Sequence, residues 1–377
     1  MSRPTHFVHC VESEGFDPDE LIKDVHRQQQ ARDFLADKSH LYNATRVMFN
    51  LPERDKYVYH AVVSVNLPQV QGVVSLGGVN NLHRWYIDAP DTEQRGPPPQ
   101  ADIEAYVAVF KPSTATASAL KNLANNAKKG STRSEVGLNL TNKRFLHPAL
   151  TTKLAVPKCK NPSPNPYFDF WAWSCRELEW CGPCPASERR PTSHHVLPVF
   201  MHHFGCATPS HESLEILKIL TDGREVADIG SGNGYWTFML RQYGLTVHPV
   251  DNMQSEWRVN WVSDTTISDG VKWLGKHSGG KEMVLLLVYP VVGGGLGGGA
   301  EGGFTRNLVD AFQGDTIAVV GTQNGNGYTG FKGMTMDHFM ETEHKDWTKV
   351  VQIPLPSFAG KDEALFVFQR GERAPCE

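Results

Sequence analysis

From Thr208 onward the chain alternates short apolar runs with segments of helical periodicity, and no other feature narrows the choice of fold so far. Ser210 stands as an N-cap before HESLEILKIL, with Glu212 in the first turn, where a carboxylate complements the helix dipole. REVADIG reads as a strand running into glycines, and YWTFMLRQYG as a helix that stops at Gly244. TVHPVDN follows as a strand ending in an acid, DGVKWLGKH as a short helix, KEMVLLLVY as a buried strand and FTRNLVDAF as a helix. DTIAVVGTQ is then a strand and MTMDHFMETE a helix. KVVQIPLP and ALFVFQR come last, as strands with no helix between them, so one of them enters antiparallel. The pattern predicts an α/β, Rossmann-like doubly wound sheet over 207–377, with ligands outside the carboxyl ends of its strands.

The first strand-to-helix turn, VADIGSGNGYW, places Asp228, Gly230, Ser231, Gly232, Asn233 and Gly234 in succession. Glycines suit a tight turn in which backbone N–H groups meet a ligand with no Cβ in the way. The dinucleotide fingerprint G-x-G-x-x-G, begun at Gly230, would put its third glycine where Tyr235 stands, which disfavours a nicotinamide or flavin. D-x-G-x-G-x-G after a strand resembles the cofactor motif of class I S-adenosylmethionine (SAM)-dependent methyltransferases, and the resemblance spans roughly 204–370. It implies SAM as cofactor, with Asp228 supporting the methionine end, and Asp251, next to Asn252 in HPVDN, holding the ribose hydroxyls. Asp269, in TTISDGV, takes the position near the adenine. The chemistry agrees: a carboxylate accepts two hydroxyls, and a second carboxylate offsets an ammonium or sulfonium charge.

More narrowly, FGCATPSHESLE, GSGNGYW, LLLVYP and QIPLPSFAGKDEALFVF are similar to a little-characterised group of bacterial and fungal methyltransferase-like proteins. That group carries Pro-Pro-aromatic after its fourth strand. Val288-Tyr289-Pro290-Val291 stands here instead, which leaves the cradle for a planar amino group incomplete. The resemblance implies methyl transfer from SAM to an acceptor that it does not name. The absence of any basic stripe favours a small molecule over nucleic acid, and a protein acceptor stays open. A non-catalytic SAM-binding protein is the first rival reading.

Methyl transfer needs donor and acceptor close and collinear, and a base only where the acceptor must first lose a proton. Tyr289 and His203 are the candidate catalytic residues, with Tyr235 and Trp236 beside the glycine turn and His202 and His211 nearby. The glycine tract at 293–303 is either a mobile lid or a solvated insertion.

EWCGPC is spelled like a thiol-disulfide centre, and a thiol oxidoreductase using Cys181 and Cys184 is the second rival. Pro185 directly after Cys184 and Pro191 soon after oppose the long helix that such a centre needs. Cys175, Cys181, Cys184 and Cys206, with His194, His195, His202 and His203, are the candidate metal ligands, though their spacing matches no standard zinc module. Seven cysteines without a secretory signal read as reduced thiols.

A length of 377 residues favours more than one domain, because single cores stop growing near about 250–300 residues. Residues 1–155 read as an α+β accessory region, with a helix in LIKDVHRQQQARDFLADKSHLY, another in ASALKNLANNAKKG, and strands in KYVYHAVVSV, GVVSL and AYVAVF. Residues 156–206, rich in Pro, aromatics, Cys and His, read as a linker that becomes a wall of the next domain, and FDFWAW within it could be a strand. A net charge of -4 gives no general attraction to nucleic acid or anionic membranes. The longest apolar run, at 283–292, falls short of the ~20 residues a membrane span needs. With no signal peptide legible at the start, the cytoplasm or nucleus is the expected location.

Overall fold

A computed structural model of the chain describes residues 13, 15–37, 40–61, 63–87, 95–188, 192–293 and 299–375. Ten strands occur among them. Strands β1 (Tyr59–His60) and β2 (Ser64–Val65) form a small antiparallel hairpin, the only part of KYVYHAVVSV that pairs among the described residues. The other eight are β3 (Phe145–Leu146), β4 (Glu225–Ile229), β5 (Val247–Asp251), β6 (Thr266–Ile267), β7 (Met283–Val288), β8 (Thr316–Thr322), β9 (Thr348–Pro354) and β10 (Glu363–Gln369). They build one sheet in the order β3-β9-β10-β8-β7-β4-β5-β6.

Pairings are parallel from β6 across β5, β4 and β7 to β8, and antiparallel where β10 meets β8 and β9. The helix-free return from β9 to β10 therefore produces the antiparallel strand expected from the sequence, and the sheet is the doubly wound α/β type. Alternation along each strand divides the core between its two faces. Val226, Leu286, Val320 and Val367 point to one face, under the helices His211–Thr221 and Tyr235–Gln242. Ala227, Leu285, Val319 and Phe366 point to the other, under Gly270–Lys276, Gly303–Ala311 and Met336–Glu343.

Three expected strands are helices instead. GVVSL lies in the helix Leu67–Leu76, where Asn66 and Gln69 form a reciprocal capping box and Pro68 sits in the first turn. Those start signals outweigh the β-branched valines. AYVAVF lies in the helix Gln100–Val109, behind Pro99, and FDFWAW in the helix Pro166–Glu177, capped by Asn165. Short apolar runs do not distinguish a buried strand from a buried helix. The described part of 1–155 is accordingly mainly helical, with β3 joined antiparallel to β9 at the edge of the main sheet.

One hydrophobic cluster runs without a break from Leu21 through Trp171 and Phe204 to Val367. Stacked and edge-on rings bridge its parts: Phe49 meets His203 at 4.0 Å, Tyr167 meets Phe204 at 4.6 Å, and Tyr235 meets Trp261 at 4.7 Å between ring centres. A buried ion pair also crosses between segments, from Asp55 to Arg258 at 2.8 Å, with Arg258 over the ring of Tyr57. No helix among the described residues is long and apolar enough to cross a membrane.

Removing a carboxylate from beside a buried guanidinium is destabilising. Asp55→Ala is expected to lower stability by about 3–5 kcal/mol, read by urea denaturation. A loss below about 1 kcal/mol would mean that the pair is solvated in solution.

Candidate cofactor and acceptor site

The strand order reverses between β4 and β7, and a cavity of about 600 Å³ opens at the carboxyl ends of β4, β5 and β7. The turn after β4 makes its floor. Gly230 and Ser231 donate their N–H groups to the Val250 carbonyl at 2.7 and 3.1 Å, which holds the turn against β5. Gly232 has φ 59° and no Cβ, and one added there would stand 3.1 Å from the Trp257 ring. Glycine at this position thus answers both the left-handed backbone and the close approach of Trp257.

Asp251, the last residue of β5, lies on the cavity wall. Its Oδ2 accepts the Gly232 N–H at 2.9 Å and its Oδ1 the Met253 N–H at 2.6 Å. Asn252 also lines the cavity, its Oδ1 accepting the Gln254 N–H at 3.2 Å. Ser231, Asn233 and Trp257 line it too, and Ser231 Oγ, Asn233 Nδ2 and Trp257 Nε1 are buried without a partner. Orphaned polar atoms of this kind are costly unless a ligand satisfies them. With the open glycine turn, they fit the polar ribose and methionyl parts of SAM.

Two expected cofactor acids sit differently. Asp228 is fully buried beneath the turn and off the cavity wall; its Oδ2 accepts from Thr237 Oγ1 at 2.6 Å, and its Oδ1 has no partner. Burial pushes its carboxyl up to about 7, against the downward pull of the Thr237 hydrogen bond. Asp269 lines the cavity, but its Oδ1 caps the helix Gly270–Lys276 by accepting the Lys272 N–H at 2.9 Å. Ser268 and Gly270 flank it on the wall.

At the other end stand Cys206, Tyr289, Pro290 and Tyr328. Tyr289 directly follows β7 and has φ 55°, rare for an aromatic residue. Its N–H reaches the Val320 carbonyl at 2.7 Å, while its buried hydroxyl has no partner. Strands lie about 4.8 Å apart, so Asp251 and Tyr289, on either side of β4, are separated by roughly 10 Å.

The histidines do not join them. His203 is fully buried away from the cavity, shares a 2.8 Å hydrogen bond with the Tyr59 hydroxyl, and burial keeps its ring neutral with a pKa well below the usual value. His202 bonds the Tyr57 hydroxyl and the His60 carbonyl, and His211 the Tyr243 hydroxyl. These are core and anchoring histidines, and their adjacency in the sequence is helical. Tyr235 and Trp236 do line the cavity, with Trp236 Nε1 donating to the Ala207 carbonyl at 2.8 Å.

Cys175, Cys181 and Cys184 are buried free thiols, and burial pushes Cys181 up to about 12 and Cys184 up to about 11. A reactive thiol needs exposure and the opposite shift, which weighs against the oxidoreductase alternative. Cys206, also free, lies on the cavity wall with its thiol pushed up by burial to about 11. Among the described residues no group of three or more His, Cys, Asp or Glu could hold a metal ion. Residues 294–298 of the glycine tract lie outside the described residues.

Sequence reasoning missed Trp257, Phe304 and Tyr328 on the wall, and Lys361, against the Tyr328 ring, with the nearby Glu363. Glu363 opens β10 with both carboxylate oxygens buried and unpartnered. Lys361, 4% exposed, rests its ammonium 3.2 Å from the centre of the Tyr328 ring and 5.6 Å from that of Tyr289. A Lys and a Glu spaced by one residue before a fully buried strand are the signal in the sequence, since charges rarely go inside unless paired.

No family model matches the chain, and no curated protein matches it. Among solved structures it is similar to a candidate SAM-dependent methyltransferase from Streptococcus mutans, at 13% identity and TM-score 0.29, covering 41% of this chain and 48% of that one. It is also similar to a magnesium protoporphyrin IX methyltransferase from Synechocystis, at 11% identity and TM-score 0.29, covering 42% and 77%. An rRNA methylase from Escherichia coli matches at 12% identity and TM-score 0.26, covering 39% and 57%. The chain thus spans about half the length of the Streptococcus protein. At scores this low, any functional reading rests on the site itself.

The raised Asp228 carboxyl has a consequence for stability. The folded chain keeps a proton that the unfolded chain releases above about pH 4, so this contribution to stability is full below that point and is lost as pH rises through about 7. Asp228→Asn is expected to flatten this decline, gaining roughly 2–4 kcal/mol on wild type between acid and alkaline pH, read by thermal melts across the range. Parallel profiles would mean that the carboxyl ionises freely in the fold.

Proposed function

We propose that the chain is a SAM-dependent methyltransferase whose cofactor lies along the glycine turn and whose acceptor enters at Tyr289 and Tyr328. The observation that carries this reading is Asp251 at the end of β5, facing a cavity whose wall also holds the unpartnered Ser231 Oγ, Asn233 Nδ2 and Trp257 Nε1. SAM, when bound, supplies an electrophilic methyl group on a sulfonium. Asp251 would hold the ribose hydroxyls, as a carboxylate accepting two donors. The Ser231 hydroxyl and the Asn233 amide would hold the methionyl end, and the backbone and side chains at 268–270 the adenine. Asp228 supports the turn from below through Thr237 rather than by contact.

Phe204, Trp236, Tyr289 and Tyr328 give the acceptor end a largely aromatic wall, which excludes water and limits the geometry of approach. Tyr289 is the candidate acceptor-contacting residue, through its unpartnered hydroxyl. A cavity of about 600 Å³, open at the carboxyl ends of the strands, suits a small molecule beside the cofactor. Net charge alone argues against nucleic acid, and the comparisons, which include an rRNA methylase, lend that exclusion no support.

Titration calorimetry with SAM and its demethylated product is the test. Wild type should bind both, and Asp251→Ala should weaken binding by about 1.5–3 kcal/mol, roughly tenfold to a hundredfold. Gly232→Val should abolish it, because a β-branched side chain at φ 59° would strain the turn and press on the Trp257 ring. Thermal melts of each variant separate lost binding from lost folding. A folded wild type that binds neither compound would overturn the proposal.

A further inference from the structure

Lys361 and Glu363 lie in and beside the loop 355–362 that joins β9 to β10, at the same edge of the sheet as the cavity. The loop is rigidly held. The Ser357 carbonyl accepts from the indoles of Trp171 and Trp180 at 3.0 and 2.9 Å, and Ser357 Oγ accepts the Glu363 N–H at 2.7 Å. Asp362, between the two residues, is occupied elsewhere: it accepts from Lys143 at 2.7 Å and from Gln323 at 2.8 Å.

Lys361 therefore presents a buried ammonium with no carboxylate at ion-pair distance among the described residues. The groups that face it are Glu363, the Cys206 thiol and the rings of Tyr289 and Tyr328. Ring faces attract a cation but do not neutralise it, and a buried charge without an anion is expensive to hold. Tyr289, Tyr328 and Cys206 all line the cavity, so the charge stands one ring's thickness behind the acceptor wall.

We infer that this end of the cavity receives the acceptor as an oxyanion, a carboxylate or phenolate, with Tyr289 donating its hydroxyl to the anion and Lys361 supplying the positive charge behind it. The inference rests on the methyltransferase reading for its chemistry. No proton acceptor is then required: the oxygen's lone pair forms the new C–O bond, the carbon–sulfur bond breaks with its electrons going to sulfur, and Lys361 keeps its proton. The product is neutral and loses its attraction to the ammonium, which favours release. An amine, protonated near neutrality, would be repelled. Lys361 acts through Tyr289 and Tyr328 and is a positioning residue.

Glu363 makes the device depend on pH. Burial raises its carboxyl and lowers the Lys361 ammonium, bringing the two toward each other. At lower pH the acid is neutral and the amine charged, so the pair is net positive. At higher pH the acid is charged and the amine neutral, so the pair is net negative. Cys206 and Tyr289 stay neutral throughout this range, because burial lifts the Cys206 thiol and the Tyr289 hydroxyl.

Benzoate and benzyl alcohol, which share a ring and differ in charge, are suitable probes for calorimetry on the full chain. Wild type is expected to bind benzoate about tenfold or more tighter than benzyl alcohol on the acid side of neutrality, with the preference shrinking as pH rises through neutrality. Lys361→Met should erase the preference while leaving benzyl alcohol within about twofold. Lys361→Arg, which stays charged, should keep it to higher pH. Equal affinity for the two probes in wild type, no binding of either, or a preference that survives Lys361→Met would overturn the inference. Should Lys361→Met fail to fold, the wild-type pH profile and Lys361→Arg still decide. The demethylated cofactor, titrated into the same samples, separates the two readings. Its binding without any benzoate preference sinks only the oxyanion, and a benzoate preference without its binding sinks only the cofactor assignment.

Discussion

The carboxylate of Asp251 accepts two backbone N–H groups, one from Gly232 and one from Met253, and so joins the turn after β4 to the turn after β5. Charge-assisted bonds of this type are about twice as strong as neutral ones. They act where the chain has least regular structure to hold it. With the bonds from Gly230 and Ser231 to the Val250 carbonyl, they fix the floor of the cavity against its neighbouring strand. Beyond Met253 the chain brings the Trp257 ring close over Gly232. Arg258, one residue on, is then tied to Asp55, so the ligand-facing loop is anchored to a part of the chain about two hundred residues earlier.

The EWCGPC segment has a physical role that differs from its spelling. Trp180 donates its indole N–H to Ser357, and Tyr86 stacks on Trp180 while its hydroxyl meets the Cys181 sulfur at 3.4 Å. Gly182 is needed because Val136 and the Tyr106 ring pack where its Cβ would stand. The cysteines serve as small buried side chains in this packing. What they support is the loop 355–362, and through it Lys361 and Glu363, so a string resembling a redox centre buttresses one end of the cavity wall.

The legible part of the fold was the part with strong periodicity and punctuation. Strands β4, β5, β7 and β8 and the helices between them follow the sequence pattern closely, because apolar runs bounded by Gly, Asp and Ser leave little choice there. GVVSL and AYVAVF misled because valine-rich runs of five or six residues fit either period, and the deciding signals, Asn66 with Gln69 and Pro99, lay outside them. At the candidate site, the placement of the glycine turn and Asp251 on the cavity wall follows from local order, since both depend on residues adjacent in sequence. That of Lys361 and Tyr328 does not, since it depends on a sheet that brings β7, β8 and β10 together. His203 shows the converse: prominent in a His-rich string, it is a core residue bonded to Tyr59.

Tyr289 keeps a left-handed backbone that costs a bulky residue of order 1–3 kcal/mol. Its own N–H to Val320, and the Gly330 N–H to the Pro290 carbonyl, hold it there. Glycine at this position would relax the backbone but remove a ring packed against the core, and the packing lost, about 3–5 kcal/mol, outweighs the strain relieved. Selection for heat resistance alone would therefore keep this residue, with the strained backbone as the smaller cost of a packed ring on the cavity wall.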